Sequence, residues 1–538
     1  MSLTEDAYRY AIKNAFLHEG KADVGAIVGK MKALHPDLDI KDSMPSIIEA
    51  VKKVNALGKK EIEAEYKKFE GSYELKPKQK DSMLPTLDWA EKESVVTRYA
   101  PNPNGPFHLG NARAAILCDE FAKIYGGKMI LRFDDTDPKI KKPIENAEAI
   151  FKEDLEWLGC EISETYFASD RLDIYYKYMK EVLKKGHAYV CDCDVEKWRK
   201  LIKAKKACKC RDISPKEQLQ RFEKMLSNEF KEGQAVLRIK TDLNHNDPSI
   251  RDWWAAKVVD NPVHPNPKSK GKHVWPSYNF ASAIDDHELG VTLILRGQEH
   301  AQNQTKQEFL YDYFKWTYPH SFHFGRIKLA DTVLSTSKIK EGIEKGEYKG
   351  WDNPRLGTIK ALRRRGFQAS ALRKAILDVG VKSSGVSIDA KRLHDLNKEE
   401  LGDVKRIGFI AEPVRLSVDY APDGTEQFVV DSATLKKLKV GSVFRLREKY
   451  NVKITKKDPL EIFGQFVGTT NTGKEVVGWL SDSIDIELVM PDGKKMAGLA
   501  SKELLEEKEG SIIQLDKFGF CRIDSVQENR VVLWFAHK

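Results

Sequence analysis

The stretch TRYAPNPNGPFHLGNARAAIL, Thr97 to Leu117, constrains the fold more than any other part of the chain. ESVVTRY, Glu93 to Tyr99, reads as a short buried strand on its β-branched and apolar content. Three prolines, two asparagines and a glycine then make a stiff loop, and Ala112, Ala114, Ala115, Ile116 and Leu117 read as a helix with an apolar face. Strand, loop and helix in that order are the front of a βαβ unit. Such folds bind ligands at the carboxyl end of the strand, where helix amides face outward.

The rest of the chain extends this pattern. GGKMILRFDDTDP reads as turn, strand and an acidic strand end. IENAEAIFKEDLEWLG and RLDIYYKYMKEVLKKG are amphipathic helices closed by Gly159 and Gly186. A cysteine cluster, a basic helical stretch and NPVHPNPKSKGKHVWP, read as loop, interrupt the alternation. It resumes with LGVTLILRG as a strand and NQTKQEFLYDYFKW as a helix. Residues 351–400 read as helical, and β-branched, turn-rich text follows from about residue 405. Before all this, PSIIEAVKKVNALGKKEIEAEYKKFEG reads as part of a separate helical unit, followed by the polar, proline-marked linker SYELKPKQKDSMLPTLDW.

The 538 residues suffice for roughly three to five domains. With 41% hydrophobic and 32% charged residues, the composition suits a protein with real cores and a heavily charged surface. No apolar run is long enough for a membrane span, and MSLTEDAYRYAIKNAF does not read as a signal peptide. The net charge of +9 permits a polyanionic partner without requiring one. Seven cysteines, four of them crowded between Cys191 and Cys210, do not read as a secreted disulfide framework, so a cytoplasmic location is expected.

His108, Leu109, Gly110 and Asn111 resemble the His-Ile-Gly-His signature of class I aminoacyl-tRNA synthetases. The flanking TRYAPNPNGPFHLGNARAAIL and LRFDDTDP resemble the glutamyl/glutaminyl branch of that family. So do NFASAIDDHELGVTLILRGQEH and VLSTSKIKEGIEKGEYKGWDNPRLGTIKALRRRGF, in the order and spacing of that branch over roughly residues 93–400. The helical start and β-rich tail are similar to its archaeal and eukaryotic form. The resemblance implies a multidomain α/β protein, with a Rossmann-like catalytic core split over 93–190 and 271–350. It implies an inserted acceptor-end-binding domain at 191–270, a helical connecting domain at 351–404 and β-barrel anticodon-binding domains at 405–538. A helical extension occupies 1–90 and offers a surface for a protein partner or RNA.

The implied reaction joins L-glutamate to tRNA(Glu) through a glutamyl-adenylate, using ATP with Mg²⁺; the relaxed archaeal form also charges tRNA(Gln). His108, at a helix start, suits the charge that builds on the α-phosphate, Gly110 lets the backbone approach the nucleotide without a Cβ in the way, and Asn111 is expected among the ATP-binding residues. Glu299 resembles a residue near the ATP ribose. The family's mobile lysine loop stands here as Val333, Leu334, Ser335, Thr336, Ser337, Lys338, with threonine where its common form has lysine. The phosphate contact is therefore expected from Ser337 and Lys338, with Lys340 the alternative if the register shifts.

Glutamate brings one ammonium and two carboxylates, so its pocket needs one acid and two cations. Asp134 resembles the family's ammonium-binding acid, and Arg98 and Arg296, at strand ends, are the cations. Asn102, Tyr278 and Ser282 align with its hydrogen-bonding residues. In the glutaminyl branch a small uncharged residue stands at the Arg296 position, so Arg296 favours glutamate. A glutaminyl-tRNA synthetase and a non-catalytic tRNA-binding protein on the same fold are the competing readings.

Cys191, Cys193, Cys208 and Cys210 form two Cys-x-Cys pairs fourteen residues apart. Four thiolates this close suit a closed structural Zn²⁺ site, as the resemblance implies; reduced, metal-free cysteines are the alternative. Arg363, Arg364 and Arg365, with the lysines between Lys197 and Lys209, are candidates for tRNA phosphate contacts, against the alternative of a solvated face.

Overall fold

The computed structural model describes residues 3–17, 20–34, 39–69, 84–330, 332–420, 424–471 and 474–538. The chain divides into two compact units, Met1–Ser82 and Met83–Lys538. The expected linker begins at Ser72, and its part up to Met83 lies outside the described residues. The first unit consists of α1 (Leu3–Leu17), α2 (Val24–Leu34), α3 (Ile40–Asn55) and α4 (Lys59–Phe69). Ile47, Val51 and Val54 recur at helical spacing on α3 and meet Tyr10, Ala11 and Ile27 in its core.

The second unit is built on a five-stranded parallel sheet, β1 (Val96–Tyr99), β2 (Lys128–Phe133), β3 (Ile162–Phe167), β8 (Leu293–Gly297) and β9 (His320–Phe324). The strand order β3-β2-β1-β8-β9 reverses between β1 and β8, and every pairing is parallel. All four β1 residues are buried, as helices on both faces of a parallel sheet require. Helices α5 (Leu109–Ile124), α6 (Ala147–Trp157) and α7 (Leu172–Lys184) supply the first crossovers. On α5, Arg113 is wholly buried and donates to the carbonyls of Gly325 and Gly380, tying this helix to distant loops.

The inserted segment is an antiparallel sheet of β4 (Ala188–Cys191), β5 (Val236–Ile239), β6 (Trp254–Val258) and β7 (Val274–Pro276), carrying α8 (Val195–Lys203) and α9 (Pro215–Leu226). The stretch 261–276, expected as loop throughout, therefore ends in a strand. Lys257 pairs with Trp275, and the burial of Val274 and Trp275 outweighs the proline- and lysine-rich context before them. The core resumes with α10 (Tyr278–Glu288), β8, α11 (Ala301–Phe314) and β9.

Next come β10 (Ile327–Leu329), α12 (Thr336–Glu344), α13 (Ile359–Arg365), α14 (Ala369–Val379), β11 (Val386–Ile388) and α15 (Ala390–Leu401). The span 351–400 is thus not purely helical, because β11 pairs in parallel with β10. Strand β9 has no counterpart in the expectations either. Two seven-stranded sheets form the tail. In one, the edge strands Arg406–Ile407 and Phe409–Ile410 are separated by Gly408 alone; in the other, Val476–Val477 and Trp479–Leu480 flank Gly478. A sheet whose two edges are consecutive in the chain must curl back on itself, so both are nearly closed barrels.

Candidate active site

A cleft of about 890 Å³ opens at the carboxyl ends of β1, β2 and β8, where the strand order reverses. Arg98, Asn102, Asp134 and Arg296 line it from the strand ends, and Tyr278 enters from the first turn of α10. His108, Gly110 and Asn111 line it from the start of α5, with Glu299 beside them. Ser282, Ser337 and Lys338 do not line it.

The amino-acid end is a network of buried charges. Arg98 gives its Nε to Asp286 at 3.1 Å, and Arg132 donates to the same carboxylate at 2.7 Å. Arg132 Nε also meets Asp134 at 3.1 Å and lies 3.8 Å from Asp285, which pairs with Arg171 at 2.7 Å. Burial works against the charge on Arg98, and the Asp286 carboxylate more than offsets it. Burial likewise raises Asp286, but Arg98 and Arg132 bring it below the usual carboxylate range. Asp134 is pushed up to about 6 by burial, against the pull of Arg132 and Arg98. Ser282 lies beneath this network; it accepts from Arg132 at 3.0 Å, so its hydroxyl is used to fix an arginine rather than to face a ligand.

Arg296 differs from the other three arginines at this end of the cleft. It is buried, and its partners are neutral: Gln307 Oε1 at 3.0 Å and the Tyr318 hydroxyl at 2.5 Å. Its Nε has no partner, and among the described residues it makes no ion pair. Burial pushes Asp285 up, yet Arg171 and the Tyr175 hydroxyl at 2.5 Å hold its two oxygens, and we count it as ionised. Four guanidinium groups (Arg98, Arg132, Arg171, Arg296) then face three carboxylates (Asp134, Asp285, Asp286). One positive charge is left over at the amino-acid end.

The opposite end is built on the start of α5. His108 is its N-cap, and the ring Nδ1 accepts the Asn111 amide at 3.3 Å. That bond places the ring proton on Nε2, free to donate. Burial lowers His108 to about 4, so the ring is neutral at pH 7. A Cβ at position 110 would stand 2.9 Å from the His108 ring, so Gly110 is required by the histidine itself. Residues 107–109 are hydrogen-bonded to 357–359: the Leu109 amide donates to Gly357 at 2.9 Å and the Ile359 amide to Phe107 at 3.0 Å.

Leu334 and Ser335 reach the cleft, but the next residues turn into α12. Ser337 and Lys338 are exposed on that helix and do not line the cleft. Thr336 packs where a Cβ at position 105 would stand, so Gly105 is the seat of α12; the loop sequence alone did not single it out. The Asp285–Asp286 pair, Arg132 and Arg171 were also missed. Their signal was charge placed at positions whose neighbours on the strand or helix are buried.

Arg363, Arg364 and Arg365, the candidates for tRNA phosphate contacts, all have partners within the protein. Arg365 is buried and donates to the carbonyls of Phe535 and Ala536. Arg364 is paired with Asp524 at 2.7 Å and Asp352 at 2.6 Å, and its guanidinium lies over the Trp534 ring. Arg363 meets Glu153 at 3.2 Å. Arg364 and Arg365 thus join α13 to the last barrel, while Arg363 pairs with α6 at the surface.

The four cysteines converge. Cys191, Cys193, Cys208 and Cys210 bring their sulfurs within 4.8 Å of one another. Cys191 and Cys208 are 3.9 Å apart, and Cys193 and Cys210 3.6 Å. A tetrahedral Zn²⁺ with sulfur at about 2.3 Å needs an S···S edge of about 3.8 Å, so the donor set fits. Gln218, buried on α9, braces the site through Cys210 O and the Val190 amide.

The family model for class I tRNA synthetases (E and Q), catalytic domain, matches residues 94–403. Along its whole length the chain is 43% identical to the glutamate–tRNA ligase of Pyrococcus furiosus and 44% identical to that of Pyrococcus abyssi, with full coverage of both chains in each case. It is 37% identical to the glutamate–tRNA ligase of Methanobrevibacter smithii, again end to end. The chain belongs to the class I tRNA synthetases of the glutamate and glutamine family.

Proposed function

We propose that the protein is a glutamate–tRNA ligase, which activates L-glutamate with ATP and transfers it to the terminal adenosine of tRNA(Glu). The observation that carries the choice of glutamate is the surplus positive charge at Arg296. Glutamate is a net anion and neutralises it, whereas glutamine leaves a buried guanidinium uncompensated. Asp134 takes the α-ammonium, Arg98 the α-carboxylate side and Arg296 the side-chain carboxylate. Asn102 and Tyr278 complete the pocket as hydrogen-bonding walls.

The α-carboxylate attacks the α-phosphate of ATP and pyrophosphate leaves. His108 Nε2–H, backed by the amino end of α5, donates to the charge that builds on that phosphate. A neutral imidazole serves here as a fixed donor and holds its proton throughout. Lys338 or Lys340 meets the leaving phosphates once α12 swings toward the cleft. Mg²⁺ bound with ATP would offset the negative charge of its phosphates. Cys191, Cys193, Cys208 and Cys210 hold a structural Zn²⁺ that fixes the inserted sheet.

Relaxed charging of tRNA(Gln) is part of the proposal. Purified protein with glutamate, ATP and each purified tRNA tests both points: glutamate is attached to tRNA(Glu), and also to tRNA(Gln). Attachment of glutamine in place of glutamate, or of neither, overturns the reading. Restriction to tRNA(Glu) overturns only its relaxed part.

A further inference from the structure

Arg296 is anchored without being neutralised. Its two terminal nitrogens reach Gln307 Oε1 at 3.0 Å and the Tyr318 hydroxyl at 2.5 Å. That hydroxyl donates to the same Gln307 oxygen at 2.8 Å, closing a triangle of three side chains. A guanidinium only donates, so the Gln307 amide must present its oxygen here. The amide nitrogen has no partner among the described residues. Gln307 is wholly buried on α11, 11 positions beyond Arg296. Tyr318 lies against the edge of Tyr311, with ring centroids 4.8 Å apart. Burial pushes its phenol up to about 12, against the pull of Arg296, so it too stays uncharged at neutral pH.

A carboxylate is the usual partner of a buried arginine, and it would accept both of these hydrogen bonds as well. One stands at the very next position. A single step along α11 turns Glu308 about 100° round the helix, and there it accepts from Gln304 at 2.8 Å. The fold thus sets the amide, and not the neighbouring acid, against the guanidinium. The difference is one unit of charge. After Gln307→Glu, the four guanidinium groups at this end of the cleft would face four carboxylates, and the surplus would be gone. Glutamine, neutral overall, would then suit the pocket, while glutamate would bring an uncompensated negative charge.

We propose that Gln307, held in place with Tyr318, is a specificity-determining residue: as a neutral acceptor it fixes the Arg296 guanidinium and leaves free the charge that selects the side-chain carboxylate of glutamate. This rests on the reading of the protein as a glutamate–tRNA ligase. The test charges tRNA(Glu) with either amino acid, using the full chain, and compares Gln307→Glu with Gln307→Met, which is similar in length, uncharged and a weak acceptor. Gln307→Glu is expected to lower kcat/KM for glutamate by roughly 10- to 1,000-fold, mainly through KM, while the value for glutamine holds or rises. Gln307→Met and Tyr318→Phe weaken both amino acids alike and keep their ratio near the wild-type value. The KM for ATP stays at the wild-type value in all three. The melting temperature of Gln307→Glu is no lower than that of Gln307→Met, because the new carboxylate pairs with Arg296. A wild-type ratio in Gln307→Glu, a ratio lost equally in Gln307→Met, or unfolding of Gln307→Glu alone overturns the proposal. Failure of the ligase reading is seen separately, as wild-type protein that charges no tRNA with glutamate.

Discussion

The two ends of the cleft are built on opposite principles. At the amino-acid end Arg98, Arg132, Asp285 and Asp286 are already paired and buried, and of the four arginines only Arg296 lacks a carboxylate partner. At the phosphate end, His108 is in place on α5, but Lys338 sits exposed on α12 and outside the cleft. On the proposed reading, selection is preorganised, while the groups that act on the phosphates come together during turnover. The chemistry accounts for the contrast. Telling glutamate from glutamine needs a fixed charge in a dry site, whereas phosphates must enter and pyrophosphate must leave.

The largest effect is expected at the phosphate end. His108→Ala should slow adenylate formation by roughly 100- to 1,000-fold, on the scale of a lost oxyanion donor, while the KM for glutamate stays unchanged. Pre-steady-state measurement of activation checks this, and a shift in glutamate KM instead would blur the division between the two ends. Next come the lysines. Lys338→Ala and Lys340→Ala, compared side by side, should separate by roughly 10- to 100-fold in activation rate. Equal and negligible effects would mean that α12 stays where it is during turnover.

A smaller effect tests the amino-acid end by pH. The Asp134 carboxyl, raised to about 6 by burial, is the anionic form above that pH and loses its charge as pH falls through it. The value of kcat/KM for glutamate should thus drop by about tenfold per pH unit below 6. His108, at about 4, does not titrate there, so the same limb should persist in His108→Ala. The smallest effect on either end is expected from the cysteines. Metal analysis should find about one Zn²⁺ per chain. Its removal should lower the melting temperature and tRNA affinity but leave the KM for glutamate as it was. Native protein with no zinc and four freely titrating thiols would contradict the site.

What could be read from the sequence was what is local. The strand, loop and helix from Val96 to Ile124 stand as expected because each is specified by its own residues. Arg98, Asp134 and Arg296 were legible because a charge at the end of an apolar strand has few other roles. The partners of the arginine run were hidden because they lie far along the chain: Asp524 is 160 positions from Arg364, and Ala536 is 171 from Arg365. A basic run and a buried joint have the same local text. Asp286 was hidden for a similar reason, its two arginine partners being 188 and 154 positions away.

The account's central claim is that Arg296 carries the surplus charge that selects glutamate, and Arg296→Ala tests it most directly. Loss of a partly buried, charge-assisted pair is worth about 2–5 kcal/mol. The ratio of glutamate to glutamine charging should therefore fall by tens- to thousands-fold, on the order set by that energy, with the melting temperature kept. If both amino acids lose activity in parallel and the melting temperature falls with them, Arg296 only braces Gln307 and Tyr318, and the selection of glutamate lies elsewhere.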